Sequence, residues 1–231
     1  MKPLLLTIAL LVGSLSVSYS QDFDKGYEAS ERGDYAEALF QWEPLAEKGN
    51  AVAQYNLGTM YAHGKGVTQD YKKAFKWYSL SAKQGDGAAQ YSLGSMFYHG
   101  LGVTQDYKTA AKWYRLSADQ GNVSAQYYLG NMYYDGLGVT QDFKTSVKWY
   151  RKGAEQGDGP SQGNLGISFA KGAGVIKDNM RALMWFHLAV LNGDDSAVIK
   201  REIVLSMMTT EEINKAMLMA LECIENNYKG C

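Results

Sequence analysis

Ser168 and Lys171 are the residues of this chain whose types and spacing first suggest a reaction. They form a bare S-x-x-K, the pairing of a serine nucleophile with a lysine found in penicillin-recognising enzymes. There the motif opens a helix and works with S-D-N and K-T-G partners. Here it closes a predicted helix just before Gly172, and neither partner motif occurs. A weak hydrolase of β-lactam or cell-wall type is therefore the alternative function, not the leading one. His63 and His99 stand 36 residues apart, and Asp135 and Lys171 follow at the same step. A zinc site needs three or four converging ligands. Two histidines, a distant aspartate and a lysine do not supply them, so these positions read as solvated loop residues and no metal or other cofactor is predicted.

Cys223 and Cys231 are the only cysteines, too few for a four-cysteine metal site or a cysteine-rich framework. In an oxidising compartment they could bridge and pin the tail to the last helix, contributing ~2–3 kcal/mol for so short a loop. Two idle thiols, or pairing with another chain, are the alternatives. Lys72, Lys76, Lys108, Lys112, Lys144 and Lys148 form a periodic stripe, but acidic residues elsewhere balance it, which reads as a solvated outer face. The sequon at Asn122 carries no weight, because that asparagine is needed as a helix cap. The formal net charge is −1, without a basic block, so nucleic acid is a poor partner.

The elements that must position these residues begin after an N-terminal segment of a different kind. Lys2 precedes an apolar run from Leu4 to Val12, broken only by Thr7, and Gly13 to Ser20 turn small and polar. That order predicts a cleavable export signal over residues 1–20. The run is short of the ~20 residues that a bilayer span needs, and no cysteine lies near the cleavage point to carry a lipid. The mature chain is accordingly predicted to have no integral membrane span.

From there the sequence repeats. Ala53-Gln54-Tyr55 with Leu57-Gly58 returns at Ala89, at Ala125 and, in weaker form, at Ser161, each time 36 residues on. The columns Gly64/Gly100/Gly136/Gly172, Asp70/Asp106/Asp142/Asp178 and Trp77/Trp113/Trp149/Trp185 keep the same step, as does Gly49/Gly85/Gly121/Gly157/Gly193. Each closing glycine suits the left-handed residue that ends a helix, and the Asn or Asp after it can cap the next one. Ala53, Leu57, Met60 and Tyr61 then share one helical face. Gly64 ends that helix, Asp70 caps a second, and Ala74, Trp77, Tyr78 and Ala82 form its apolar stripe. Gly58 inside the first helix costs ~1 kcal/mol relative to alanine. Its recurrence predicts close approach of the two helices, with the Trp77 indole packed beside it.

The blocks Ala-x-x-x-Leu-Gly, Tyr-x-x-Gly-x-Gly-Val, Asp-x-x-Lys-Ala-x-x-Trp-Tyr and Ala-x-x-Gly-Asn/Asp resemble the Sel-one-like repeat (SLR) family, a cousin of the tetratricopeptide repeats. In this sequence they run from Ala53 to Gly58, Tyr61 to Val67, Asp70 to Tyr78 and Ala82 to Asp86. The resemblance covers residues 50–194 as four repeats, the fourth departing most, with Pro160, Gly163 and Phe186 off the pattern and a less regular packing predicted there. It implies an all-α fold, a right-handed superhelical solenoid of stacked antiparallel helix pairs. Residues 21–49 look like a divergent half-repeat serving as the N-terminal cap. Residues 195–231 supply C-terminal capping helices: Ala197, Ile199, Ile203 and Leu205 continue one helix. Thr209 or Thr210 with Glu212 begins another, whose Ile213, Ala216, Met217, Ala220, Leu221 and Ile224 are predicted to cover the open end.

By the same resemblance the first helix of each pair lines the concave side of the stack. Its columns that vary between copies are Asn56, Ser92, Tyr128, Asn164 and Thr59, Ser95, Asn131, Ile167. They are mostly small, polar or tyrosine, a composition suited to adaptable contact. The predicted function is an exported, non-enzymatic scaffold, periplasmic or secreted, that binds a protein or peptide partner in the cell envelope. Some exported members of the family carry β-lactamase labels, which is what the resemblance adds to the hydrolase alternative. A structural or regulatory subunit of an envelope complex is a third reading.

Overall fold

In the computed structural model, which describes residues 23–231, helix follows helix along the chain and no strand occurs among the described residues. The predicted export signal at residues 1–20 lies outside the described residues. Residues 23–31 (α1) are helical. Then come α2 (Tyr35–Glu47), α3 (Ala51–His63), α4 (Tyr71–Lys83), α5 (Gly87–His99), α6 (Tyr107–Asp119) and α7 (Val123–Asp135). They are followed by α8 (Phe143–Ala154), α9 (Gly159–Lys171), α10 (Asn179–Leu191), α11 (Ala197–Leu205) and α12 (Thr210–Glu225). Chain contacts divide these into two units, α1–α5 up to residue 105 and α6–α12 from residue 106 onward.

Short helices with so regular a length are set by their ends. Asn50 Oδ1 accepts from the Ala53 N–H at 2.9 Å, and Asp86, Asn122 and Asp158 do the same for α5, α7 and α9. Asp70 Oδ1 accepts from both Lys72 and Lys73 N–H at 2.9 and 3.0 Å, an arrangement repeated at Asp106 and Asp142. Each such cap contributes ~1 kcal/mol. Gly64, at φ +67°, closes α3 in the left-handed region that a side chain would strain.

Packing inside a hairpin follows from a glycine facing a ring. A Cβ on Gly58 would sit 2.6 Å from the Tyr78 ring, on Gly130 2.5 Å from Tyr150, and on Gly166 2.8 Å from Phe186. The helices therefore meet through Tyr78 and its equivalents. This corrects the sequence reading, which put the Trp77 indole there. Trp77 is only partly buried and packs against the first unit's core of Trp42, Leu45, Leu57 and Met60. The ring next along, Tyr78, faces the partner helix because it lies one face turn, about 100°, further round.

Neighbouring repeats are joined by a buried amide column that the sequence reading recorded only as part of the repeat. Gln54, Gln126 and Gln162 donate from Nε2 to the carbonyls of Ala46, Ala118 and Ala154, at 2.9, 3.2 and 3.1 Å. Their Oε1 atoms accept from Gln84, Gln156 and Asn192. A buried amide left unpaired would cost several kcal/mol, so the column fixes register as well as holding it.

The fourth repeat packs as tightly as the others, against the sequence expectation. Gly163, where earlier copies carry tyrosine, admits the Asp194 carboxylate against its backbone, and Trp185, Phe186 and Leu165 are fully enclosed. Pro160 falls in the first turn of α9, where no N–H is needed. Beyond it α11 and α12 both pack on α10. Thr209 caps α12 in a reciprocal capping box with Glu212. The end is less covered than the sequence suggested. Ala197, Val204, Ala216, Ala220 and Cys223 point inward, whereas Ile199 is 72% and Leu221 58% exposed, with Ile203 and Ile224 also outward. A disulfide joins Cys223 to Cys231, and between them the Tyr228 hydroxyl donates to Asn192 Oδ1 at 3.2 Å.

Candidate functional site

Two grooves open at equivalent stations of the repeat, one in each unit. Groove A, about 290 Å³, lies among α3, α4 and α5, with Ala62, His63, Tyr78, Tyr91, Ser92 and Ser95 in its walls. Groove B, about 330 Å³, lies among α7, α8 and α9, with Asn131, Tyr134, Asp135, Tyr150, Asn164 and Lys171 in its walls. A step of 72 residues relates them: Tyr78 corresponds to Tyr150, Ser92 to Asn164, and His63 to Asp135.

In groove A the polar groups are turned inward. The Tyr78 hydroxyl donates to Thr59 Oγ1 at 3.2 Å, and Thr59 donates to its own helix at Tyr55 O, 3.1 Å. Burial pushes the Tyr78 hydroxyl above its ordinary pKa, so it stays a neutral donor. His63 Nδ1–H donates to the Thr59 carbonyl at 2.9 Å.

Groove B is built from amides and charges. The Tyr150 hydroxyl, whose pKa is also raised by burial, donates to Asn131 Oδ1 at 2.7 Å. Asn164 Nδ2 donates to the same oxygen at 2.8 Å, linking α9 to α7. Lys171 Nζ reaches the Tyr134 hydroxyl at 3.4 Å, and Asp135 stands beside it with no ion pair among the described residues. Tyr127 and Ile167 complete the lining.

The residues singled out from sequence divide accordingly. Ser92, Ser95, Asn131, Asn164 and Ile167 line a groove. Asn56 lines neither, and Thr59 is engaged by Tyr78 below the surface of groove A. Tyr128 is a packing residue: its ring stacks on Tyr114 at 5.3 Å with an 11° interplanar angle, and the adjacent Tyr127 faces the groove instead. The column His63, Asp135 and Lys171, read from sequence as solvated loop positions, contributes to both grooves. Its signal was its variation in charge, from histidine through aspartate to lysine. Ser168 is fully buried and donates from Oγ to the Asn164 carbonyl at 2.9 Å, while Lys171 turns to Tyr134. The two members of the S-x-x-K thus serve different neighbours. No group of three or more His, Cys, Asp or Glu side chains converges as a metal site among the described residues, and no described helix is long and apolar enough to cross a membrane.

The family model described as Sel1 repeat matches residues 51–86, 87–122, 123–158 and 159–194. Among solved structures, a protective antigen present in uropathogenic Escherichia coli strains, displaying an SLR fold, is 32% identical with a TM-score of 0.79. That similarity covers 93% of this chain and 47% of the antigen, so the chain spans about half the length of that relative. A Sel1 repeat protein from Oxalobacter formigenes is 30% identical with a TM-score of 0.73, over 78% of this chain and 74% of that one. A protein from Klebsiella pneumoniae subsp. pneumoniae, 18% identical with a TM-score of 0.52, shares the fold, over 80% of this chain and 92% of its own. No curated protein matches the chain.

Proposed function

The chain belongs to the Sel1 repeat family, and we propose that it is an exported scaffold that holds a protein or peptide partner in its first-helix grooves within the cell envelope. The observation that carries this reading is the reuse of one frame for two different linings. Glycine–tyrosine contacts and caps recur unchanged, while the groove positions pass from His63, Thr59 and Ser92 to Asp135, Asn131 and Asn164. Variation at the groove positions over a retained set of glycines and helix caps is what a recognition protein needs. Export is supported by the charged, apolar, then small order of residues 1–20, and by a cysteine pair suited to an oxidising compartment.

Two measurements test the parts separately. Fractionation and N-terminal sequencing of the expressed protein should find a chain beginning near Gln21 outside the cytoplasm. A cytoplasmic chain retaining Met1 would remove the export half. Affinity capture from the producing cell, quantified by mass spectrometry, should lose a specific set of proteins when Asn131 and Ile167 are replaced by serine. Because Asn131 is bonded to Tyr150 and Asn164, and Ile167 packs against the core, urea unfolding of each variant is measured alongside, so that lost capture is scored only on folded protein. Capture unchanged by these variants and by Ser92→Lys in groove A would point to a different face.

A further inference from the structure

The hydrogen-bond inventory of groove B leaves a specific remainder. An asparagine side chain offers two acceptor sites on oxygen and two N–H donors. Asn131 Oδ1 is fully used, by Tyr150 and by Asn164. Asn131 Nδ2 has only donors to offer, and among the described residues none of them meets an acceptor. Asn164 spends one N–H on Asn131, leaving its Oδ1 as an open acceptor. Both residues line the groove, so one donor and one acceptor, on side chains locked to each other, face the space inside it.

We propose that groove B binds an extended peptide by reading the backbone of one residue: Asn131 Nδ2–H donates to its carbonyl, and Asn164 Oδ1 accepts its N–H. This rests on the scaffold reading above. In an extended chain the N–H and C=O of one residue point to the same side, which is what lets strands pair. The side chains flanking that residue lie near the mouth of the groove, where Asp135 and Lys171 are both exposed and of opposite sign. A basic neighbour on the Asp135 side and an acidic one on the Lys171 side complete the match. To take an acid, Lys171 gives up a 3.4 Å contact with the Tyr134 hydroxyl and a 5.9 Å approach to its ring. A glycan would want open ring faces. Tyr150 is buried, Tyr127 and Tyr134 pack in T-shaped pairs with Tyr128 and Phe143, and Lys171 Nζ stands over the Tyr134 ring at 5.9 Å. Groove A lacks the device, since Thr59 and Ser92 carry hydroxyls where Asn131 and Asn164 carry amides.

The test selects random twelve-residue peptides, displayed as a library, on the mature chain and measures the binders by calorimetry. Replacing each peptide N–H in turn by N-methyl should reveal one position where affinity falls about tenfold, the worth of one lost hydrogen bond. That penalty should vanish in Asn164→Leu. Asn131→Asp, which keeps the shape and loses the donors, should weaken binding by a similar factor, and melting temperature reports whether the fold is intact. Peptides that bind with indifference to Asn131→Asp, Asn164→Leu and N-methylation overturn the inference but leave the scaffold reading standing. Failure to enrich any peptide, or binding of an N-acetylglucosamine oligomer in its place, overturns the inference as well. The assignment of partner binding to the grooves falls only if groove variants also leave cellular capture unchanged.

Discussion

Grooves A and B are the same construction carried to different ends. In both, a buried tyrosine from the second helix of a hairpin reaches the first helix beside a glycine, and a first helix from the next repeat forms the far wall. In groove A the tyrosine meets a threonine hydroxyl that is already satisfied, and Tyr91 stands in the opening. In groove B it meets an asparagine tied to a second asparagine, and Gly163 occupies the position equivalent to Tyr91. The exchange of hydroxyl for amide converts a closed polar contact into one with valence to spare. Side chains that hold the frame are thus separable from those that choose a ligand, although both touch the same tyrosine.

The largest test of that separation is steric. Gly58→Val and Gly130→Val each force a branched side chain into a tyrosine ring, and should cost about 3 kcal/mol in urea unfolding. The two losses should be similar, because the frame is common, and a clear inequality would break the comparison at its base. Tyr150→Phe should cost about 1–1.5 kcal/mol, since it strands half of a buried acceptor, whereas Tyr78→Phe, losing a 3.2 Å bond to a hydroxyl that has other options, should cost about 0.5. Equal values would mean the amide network adds nothing. Asp135→Asn and Lys171→Gln, both on exposed groups, should change stability by less than about 0.5 kcal/mol while flattening the salt dependence of partner association in stopped-flow traces.

The smallest effect belongs to the caps. The Asp106 and Asp142 carboxyls are held below their ordinary pKa, first by the Thr109 and Thr145 hydroxyls and then by backbone N–H groups. A depressed folded-state value stabilises the protein above the ordinary value of 3.8, and that stabilisation is lost as pH falls through the folded value. Thr109→Val with Thr145→Val should therefore lower stability at neutral pH and leave it unchanged well below pH 3. The stability-versus-pH curve between those limits should become shallower, as followed by thermal melts.

Much of the frame was legible because its residues each have one use. A glycine before Asn or Asp, a capping Asp four residues after Gly-x-Gly, and apolar residues at helical spacing allow no other arrangement, and the helices lie where those signals put them. The choice between Trp77 and Tyr78 as the ring against Gly58 was not legible, because adjacent aromatic residues both fit an apolar stripe and only the crossing geometry selects one. The grooves were half legible. Columns that vary can be read off an alignment of the copies, but Tyr128, in a varying column, stacks inside, while Tyr127, in a column that is tyrosine in three copies, lines the opening. His63, Asp135 and Lys171 are exposed, as polar loop-end residues read, and that they also border the grooves shows only once the neighbouring repeat is laid beside them. Leu221 and Ile224, expected to cover the open end, lie on the outward side of α12, whose Ala216, Ala220 and Cys223 face the core.

Successive loops within each unit meet the preceding hairpin main chain to main chain. A Cβ on Gly66 would fall 2.7 Å from Tyr35, and one on Gly102 2.6 Å from Tyr71. Gly138 and Gly174 abut Tyr107 and Phe143 in the same manner. Distance from module to module is thereby gauged by peptide against peptide, a ruler with no adjustable parts. Whatever substitutions accumulate along the openings, consecutive hairpins inside a unit keep their pitch, so a ligand long enough to touch two of them would find its footholds at an interval that drift in the surrounding sequence does not reset.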